Sequence, residues 1–343
     1  MIGRVLRVAG RLLASLLVLL SAAWVVMALH YQLAPWGWAR HALGALWVAA
    51  ALAAVVLMWR GRAPRALLSY GAALAMLLGG WWAQVPASDT RDWAEDVSRH
   101  LIAQVDGEVV TLQNVRNFDW RSNTDFTPRW DTRRYDLRQL RSTDMAVSYW
   151  MGPAIAHTLV SFGFDDGRGG TDYVAFSVEI RKERHESFSA VAGFFKQFEL
   201  ALVAADERDV LRVRTNVRGE DVYLYRVDMP PAAMRSLFLA YVDQARGLSA
   251  KPRFYDTLTA NCTTIVFEMA QRIVGQLPLD WRLLASGYLP EYLHSIDGLK
   301  AKDDLATLRA AGRIAERAKA ADQDADFSQA IRRGIPGMDT GAP

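Results

Sequence analysis

The chain's one cysteine lies in the run Thr259-Ala260-Asn261-Cys262-Thr263-Thr264, which is polar and gives way at once to apolar residues at helical spacing: Ile265, Val266, Met269, Ile273 and Val274. That pattern predicts a helix over 263–274 and puts Cys262 at its first turn. Unsatisfied backbone N–H groups and the positive end of the helix dipole favour a thiolate there. The same N–H groups are placed to hold the oxyanion of a tetrahedral intermediate. Two readings of Cys262 stand side by side, a nucleophile or a small buried hydrophobe, because helix starts carrying Asn and Thr are common whatever follows them.

A thiolate nucleophile works with a base, and histidine is the usual one. Of six histidines, His30 and His41 flank apolar stretches, His100 falls in an amphipathic segment, His185 in the charged run 181–186, and His294 in a late loop or helix. His157 differs: in the strand-like run 155–164 it shares a face with Ile155 and Leu159, so its ring points into apolar surroundings. It reads either as the base for Cys262 or as a core histidine. On the next strand-like run, Ser177, Glu179 and Arg181 share a face, and pairing of the two strands would bring Glu179 to the imidazole as its orienting partner. The competing role for Glu179 is an ion pair with Arg212 or Arg214. No H-E-x-x-H, cysteine pair or histidine pair at ligand spacing occurs, and no G-x-S-x-G, so neither a metal nor a serine nucleophile is called for.

The elements that must hold these residues follow from periodicity. Residues 109–120, 132–140, 145–150, 155–164, 173–181 and 222–227 alternate, or are rich in β-branched and aromatic side chains, and read as strands. The run Asp165-Asp166-Gly167-Arg168-Gly169-Gly170 reads as a hairpin turn. It resembles a phosphate-cradling loop but lacks the Lys-Ser/Thr that would follow. Helices are predicted over 91–104, 190–198, 232–246, 263–274 and 301–320. The fold class is α+β, an antiparallel sheet with helices packed against it.

The chain has 343 residues, 51% hydrophobic, yet a mean hydropathy of only +0.02, so apolar residues are concentrated in part of it. The first 85 residues hold seven of the 40 basic residues and no acidic one, leaving 33 basic against 37 acidic, a net charge near −4. The pI of about 9.0 therefore comes from arginines beside apolar stretches, not from a basic surface for nucleic acid. Residues 12–29, 42–59 and 66–85 are uncharged and each long enough to cross a bilayer. Arg4, Arg7 and Arg11 before the first, and Arg60, Arg62 and Arg65 between the second and third, place the N-terminus in the cytoplasm. Trp36, Trp38, Trp81 and Trp82 then fall at the outer interface. A cleaved signal peptide is the other reading of the N-terminus, and either one leaves the remainder outside. The division is a three-span anchor over 1–85, an exterior α+β domain over 86–300, and a charged helical tail over 301–343 with a disordered end. The setting is a bacterial inner membrane with a periplasmic domain. An oxidising compartment makes an unpaired cysteine informative, since cysteines there usually come in pairs.

The blocks 156–164 (Ala-His-Thr-Leu-Val-Ser-Phe-Gly-Phe), 176–181 (Phe-Ser-Val-Glu-Ile-Arg), 221–225 (Asp-Val-Tyr-Leu-Tyr) and Phe254-Tyr255 with Asn261-Cys262-Thr263-Thr264 resemble, in that order, the Lnb N-terminal periplasmic domain family, over roughly residues 110–290. The resemblance implies a circularly permuted relative of papain-like, NlpC-type thiol enzymes, with the histidine strand ahead of the cysteine helix. Lecithin:retinol acyltransferase is similar in placing its cysteine after an asparagine. It further implies a thiol acyltransferase on bacterial lipoproteins that needs no dissociable cofactor, with Cys262 accepting the acyl chain, His157 as base and Glu179 as a weaker match. Membrane phospholipid would be the donor and the amine of a lipoprotein N-terminal cysteine the acceptor. Here the apolar stretches precede the domain, whereas the family's namesake is expected to carry further ones after it, which leaves the acceptor open. Water would make a lipase or thioesterase, a peptide bond a cell-wall or protein hydrolase. A non-catalytic, membrane-tethered binding module is the alternative from another class.

Overall fold

The computed structural model describes residues 2–275 and 277–338. The chain divides into two compact units, Met1–Ser88 with Ser189–Gln197, and Asp89–Phe188 with Phe198–Pro343.

The first unit contains α1 (Ile2–Gln32), α2 (Trp38–Leu57) and α3 (Ala63–Gly80). Where the sequence separates three apolar runs, the structure has two long apolar helical stretches, Ile2–Gln32 and Trp38–Gln84, each long and apolar enough to cross a membrane. The arginine-bearing connection between the second and third runs is too short for an open loop and is compressed into the helical turn Met58–Arg62, broken by Gly61 at φ 84°. Glycine tolerates that backbone conformation without a Cβ clash. The chain reverses there. Trp47 and Tyr70 have ring centroids 5.7 Å apart, whereas a straight helix would separate residues 23 apart in sequence by about 35 Å. Leu12, Leu16, Leu20, Leu46 and Leu68 point outward, around a small core of Val18, Ala22, Ala51 and Ala54. In that core the Tyr70 hydroxyl lies 3.0 Å from Ser21 Oγ and accepts from Trp47 Nε1 at 3.2 Å. Residues 189–197, predicted as part of a helix, form only the short turn Ala192–Phe195. Gln32 Nε2 donates to the carbonyls of Phe195 and Lys196 at 2.7 and 2.8 Å.

The second unit is α+β. Its strands are β1 (Ile102–Asp106), β2 (Val109–Arg116), β3 (Asp119–Trp120), β4 (Phe126–Thr127), β5 (Trp130–Asp136), β6 (Leu140–Met151), β7 (Ile155–Asp165), β8 (Thr171–Arg181), β9 (Glu199–Ala205) and β10 (Asp221–Arg226). Its helices are α4 (Glu207–Arg212), α5 (Pro231–Ala250), α6 (Thr264–Val274), α7 (Leu289–Ser295), α8 (Leu305–Gly312), α9 (Ala315–Ala320) and α10 (Phe327–Ala330). The main sheet runs β1-β2-β9-β8-β7-β6-β10 with β5 also on β2, antiparallel except where β2 meets β9. β3 and β4 pair separately.

Two predicted elements are corrected. The helix over 91–104 reduces to one short turn, Glu95–Val97, followed by β1. Trp93 bridges to Glu183 and the Ala94 N–H donates to the Lys182 carbonyl, so tertiary pairing overrides the helical spacing. β9 went unseen because Glu-Leu-Ala-Leu-Val-Ala-Ala is buried at every position and does not alternate. The turn after β7 forms as predicted, with Asp165 and Asp166 accepting from the N–H groups of Gly167, Arg168 and Gly170. Those donors are therefore engaged within the turn itself.

The sheet has a core on each face. Val160, Phe162, Val174, Phe176 and Val178 pack with Leu237, Phe238 and Tyr241 of α5 and with Ile265 and Met269 of α6. Leu159, Ala175 and Val203 pack with Ile314, Ala318, Phe327, Ile331 and Ile335. The last group corrects the predicted tail. Residues 301–320 form two short helices rather than one, and the segment through Met338 is an integral layer of the core. The predicted disordered end, at residues 339–343, lies outside the described residues. Arg332, 4% exposed, donates to Asp144 Oδ2 at 2.9 Å and to both Glu207 oxygens at 2.7 and 2.6 Å, and lies 3.5 Å over the Tyr173 ring. Breaking a buried pair on one side leaves the other charge uncompensated, which costs about 3–5 kcal/mol. Arg332→Ala should lower the unfolding free energy of the detergent-solubilised chain by about that amount in urea titrations. An unchanged midpoint would mean that the C-terminal layer is dispensable.

Candidate active site

Cys262 sits where the sequence puts it, one residue ahead of the cap that opens α6. Asn261 Oδ1 accepts from the backbone N–H groups of Thr263 and Thr264 at 2.9 and 3.0 Å, and the Asn261 N–H donates to Thr264 Oγ1 at 3.0 Å. This reciprocal arrangement is a capping box. It also consumes two of the first-turn donors that the sequence offered to an oxyanion.

The partner strands meet Cys262 at the point where their ladder ends. The β7–β8 register begins at Leu159↔Ser177, and neither His157 nor Thr158 is paired to β8. The Thr158 backbone, not engaged by β8, lies near enough to Cys262 to favour a charge on its sulfur. By strand parity His157 lies on the Leu159 face while Cys262 belongs to the opposite core, so thiol and imidazole come together at this break in the sheet. They are close enough to hydrogen-bond and to shift each other's ionisation.

The other ring nitrogen, Nε2, lies 2.6 Å from Ser177 Oγ and 3.3 Å from Glu179 Oε1. Ser177 Oγ donates its one proton to Glu179 Oε1 at 2.6 Å, so it must accept from a protonated Nε2. That fixes the tautomer and leaves Nδ1 for the thiol. Glu179 Oε1 accepts also from Arg214 Nη2 at 3.1 Å, while Arg214 Nη1 donates to Glu220 Oε2 at 3.1 Å. Glu220 in turn accepts from Ser148, the residue paired with His157 on β6. The apolar surroundings predicted for the His157 ring are thus corrected: its face is apolar at Leu159 and polar at Ser177 and Glu179.

Electrostatics follow from this chain of contacts. Burial works against a charge on His157, but the Glu179 carboxylate and the neighbouring thiol outweigh it, and the imidazole is pushed up to about 9. Burial would raise the Cys262 thiol, yet the imidazolium and the Thr158 backbone bring it below the ordinary value. Burial likewise disfavours the Glu179 charge, and His157, Arg214 and Ser177 hold it well below the usual carboxylate range. The arrangement therefore favours a thiolate–imidazolium pair, a nucleophile and its proton donor in contact.

Residues 126–287 match the family model of the Lnb N-terminal periplasmic domain, a span holding Cys262, His157 and Glu179. This part of the chain is similar to that family's domain. No curated protein and no solved structure matches the chain. Within the Lnb-type domain the structure brings all three sequence-predicted residues together. The two roles offered for Glu179 prove compatible: one oxygen serves both His157 and Arg214. Arg212 instead pairs with Asp322 at 2.8 Å. His100 is bound to Asp89 at 2.5 Å, and His294 lies 3.2 Å from the Asp303 carbonyl.

The sequence offered Arg214 as a partner of Glu179, but not Ser177, Glu220 or the Thr158 backbone as parts of the site. Ser177 was legible as a face-mate of Glu179; the others depend on a turn after α4 and on strand divergence, which leave no local signal. Among the described residues no group of three or more His, Cys, Asp or Glu is placed to hold a metal. Because the folded imidazole titrates above its unfolded value of about 6.5, its charge contributes fully to stability below that pH, and the contribution is lost as pH rises through about 9. In carbon-13 NMR of histidine-labelled protein, assigned by loss of a signal in His157→Gln, this ring should titrate near 9 in wild type and at least one unit lower in Glu179→Gln. Identical titrations would show that Glu179 does not set the imidazole's charge.

Proposed function

We propose that this chain is a membrane-anchored, periplasmic thiol acyltransferase that moves an acyl chain from phospholipid to the amine of a lipoprotein N-terminus. The observation that carries the reading is Cys262 beside His157, whose ring is backed by Ser177 and Glu179, all inside the residues that match the Lnb-type domain. An acyl-transfer nucleophile must attack as an anion and hand a proton to a leaving alkoxide, and this pair holds both components in contact.

In the first step the Cys262 thiolate attacks the ester carbonyl of a phospholipid, and the charge moves to the carbonyl oxygen. Collapse breaks the C–O bond, the departing lysophospholipid oxygen takes the proton from His157 Nδ1, and an acyl thioester remains on Cys262. In the second step the acceptor amine attacks the thioester while neutral His157 takes its proton. The C–S bond then breaks, leaving amide product and a regenerated thiolate–imidazolium pair. Ser177 and Glu179 hold the ring with Nε2 protonated through both steps. The reading includes descent from a circularly permuted papain-like fold, in which the histidine strand precedes the cysteine helix.

The topology that suits this chemistry has three crossings, with the N-terminus cytoplasmic and the turn at Gly61 inside. The reversal at Gly61 and the arginines that flank it support this orientation. In a Cys262→Ser background, Trp36→Cys should react with a membrane-impermeant maleimide added outside intact cells and Arg62→Cys should not. The opposite pattern would invert the topology and exclude a periplasmic domain.

Intact-mass analysis after incubation with labelled phospholipid tests the reaction itself. A fatty-acyl adduct, released by hydroxylamine and absent in Cys262→Ser, is the expected result. Transfer of that label to a lipoprotein N-terminal peptide distinguishes a transferase from a lipase, in which water takes the acyl group. No adduct in any lipid would end the acyl-transfer reading.

A further inference from the structure

The two ends of β7 differ sharply in chemistry. The far end closes in the charged turn Asp165-Asp166-Gly167-Arg168-Gly169-Gly170, as an exposed hairpin normally does. The end beside His157 closes through Tyr149-Trp150-Met151-Gly152-Pro153-Ala154-Ile155-Ala156, eight residues without a charge. Its side chains are not turned inward: Trp150, Met151 and Ile155 are 41%, 51% and 37% exposed. Phe188, 47% exposed, meets Trp150 edge-on with ring centroids 5.1 Å apart.

A second turn is clamped to this hairpin. Ser286 Oγ accepts from the Ala156 N–H at 2.9 Å and donates to the Ala156 carbonyl at 2.5 Å, and the Tyr149 hydroxyl donates to the Gly287 carbonyl at 2.5 Å. The approach is so close that a Cβ on Gly287 would lie 2.1 Å from the Pro153 oxygen. The clamped segment carries Trp281 and Leu284, 63% and 68% exposed. Large apolar side chains left exposed on two turns clamped to one another mark a contact surface.

Three observations identify its occupant. The chain passes directly from Phe188 into residues 189–197, which belong to the helical unit whose leucines face outward. Two of the six exposed residues are tryptophans, whose rings favour the bilayer–water interface. Exposed Ile155, where β7 leaves the tip, is two residues from His157, the residue paired with Ser148 on β6. We propose that the β6–β7 hairpin tip, with Phe188 and the segment 281–287 clamped to it, is a bilayer-contacting surface that seats phospholipid headgroups and upper acyl chains beside the Cys262–His157 site. The assignment of the lipid as substrate rests on the acyltransferase reading; contact with lipid does not.

Because Cys262 is the only cysteine, its replacement by serine yields a thiol-free chain into which single probes can be placed. Met151→Cys and Trp281→Cys, each in the full-length Cys262→Ser chain, would carry a polarity-sensitive nitrobenzoxadiazole label in nanodiscs of phosphatidylethanolamine and phosphatidylglycerol. Asp243→Cys, on an exposed position of α5, is the reference. Both tip probes should emit at shorter wavelength than the reference and lose at least half their intensity when a fraction of the lipid carries a nitroxide on its acyl chain. Emission like that of the reference at both positions would overturn the proposal. So would a blue shift without nitroxide quenching, which would mean that a second copy or another protein covers the tip. Since these chains lack the thiol, the result is independent of any acyl transfer. A quenched tip with no acyl adduct on Cys262 would retain the surface and discard the reaction.

Discussion

Burial and charge oppose one another at Cys262, and the rest of the domain is arranged around that opposition. A thiol in an apolar core stays protonated and inert. Here the sulfur is 7% exposed among Ala260, Ile265 and Met269, yet it is driven toward the anion by an imidazole that is itself kept cationic. The imidazolium persists because Ser177 and Glu179 lie on its far side, and Glu179 stays ionised because Arg214 is held against it. Each charge in the series is buried or half-buried and each has a partner, the condition under which interior ions are tolerated. Removing any one member therefore acts on the sulfur at a distance.

Three structural decisions make this series possible. The capping box of Asn261 and Thr264 fixes the start of α6, and with it the position of the sulfur. The end of the β7–β8 ladder at Leu159↔Ser177 opens the gap through which residues on opposite sheet faces meet. The turn Val213–Val217 brings Arg214 beneath Glu179. The C-terminal layer, through Arg332, holds the β6 and α4 carboxylates on the same face of the sheet. A segment whose surface charge suggested a solvated tail is thus part of what keeps the sheet in register.

The parts of this that were legible in the sequence are those with local signals. Helical spacing after Asn261 located Cys262, alternation located β7 and β8, and the glycine and aspartate content located the turn between them. His157 and Glu179 could be paired because two alternating runs separated by a tight turn have one obvious partnership. Illegible were β1, whose preceding residues mimic a helix until Trp93 and Ala94 pair with the end of β8, and β9, which is buried on both faces and so lacks a period. Arg214 was offered as one of two partners for Glu179, but Glu220 was hidden, because it reaches the polar ground beneath His157 from a segment some 60 residues away in sequence. Tertiary contacts of that kind leave no trace in spacing. The family match, over residues 126–287, covers the site and omits the C-terminal layer that completes the second core.

The central claim is that His157 lowers the pKa of Cys262 and so activates it, and the reactivity of the thiol toward a small alkylating agent reads this directly. With one cysteine in the chain, the rate of iodoacetamide modification followed by intact mass between pH 5 and 10 reports on a single sulfur. The account predicts a wild-type rate that rises at lower pH than that of His157→Ala, whose curve climbs like that of an ordinary thiol with a midpoint of about 8.5 or above. Superimposable curves, both rising as an unperturbed cysteine does, would contradict it.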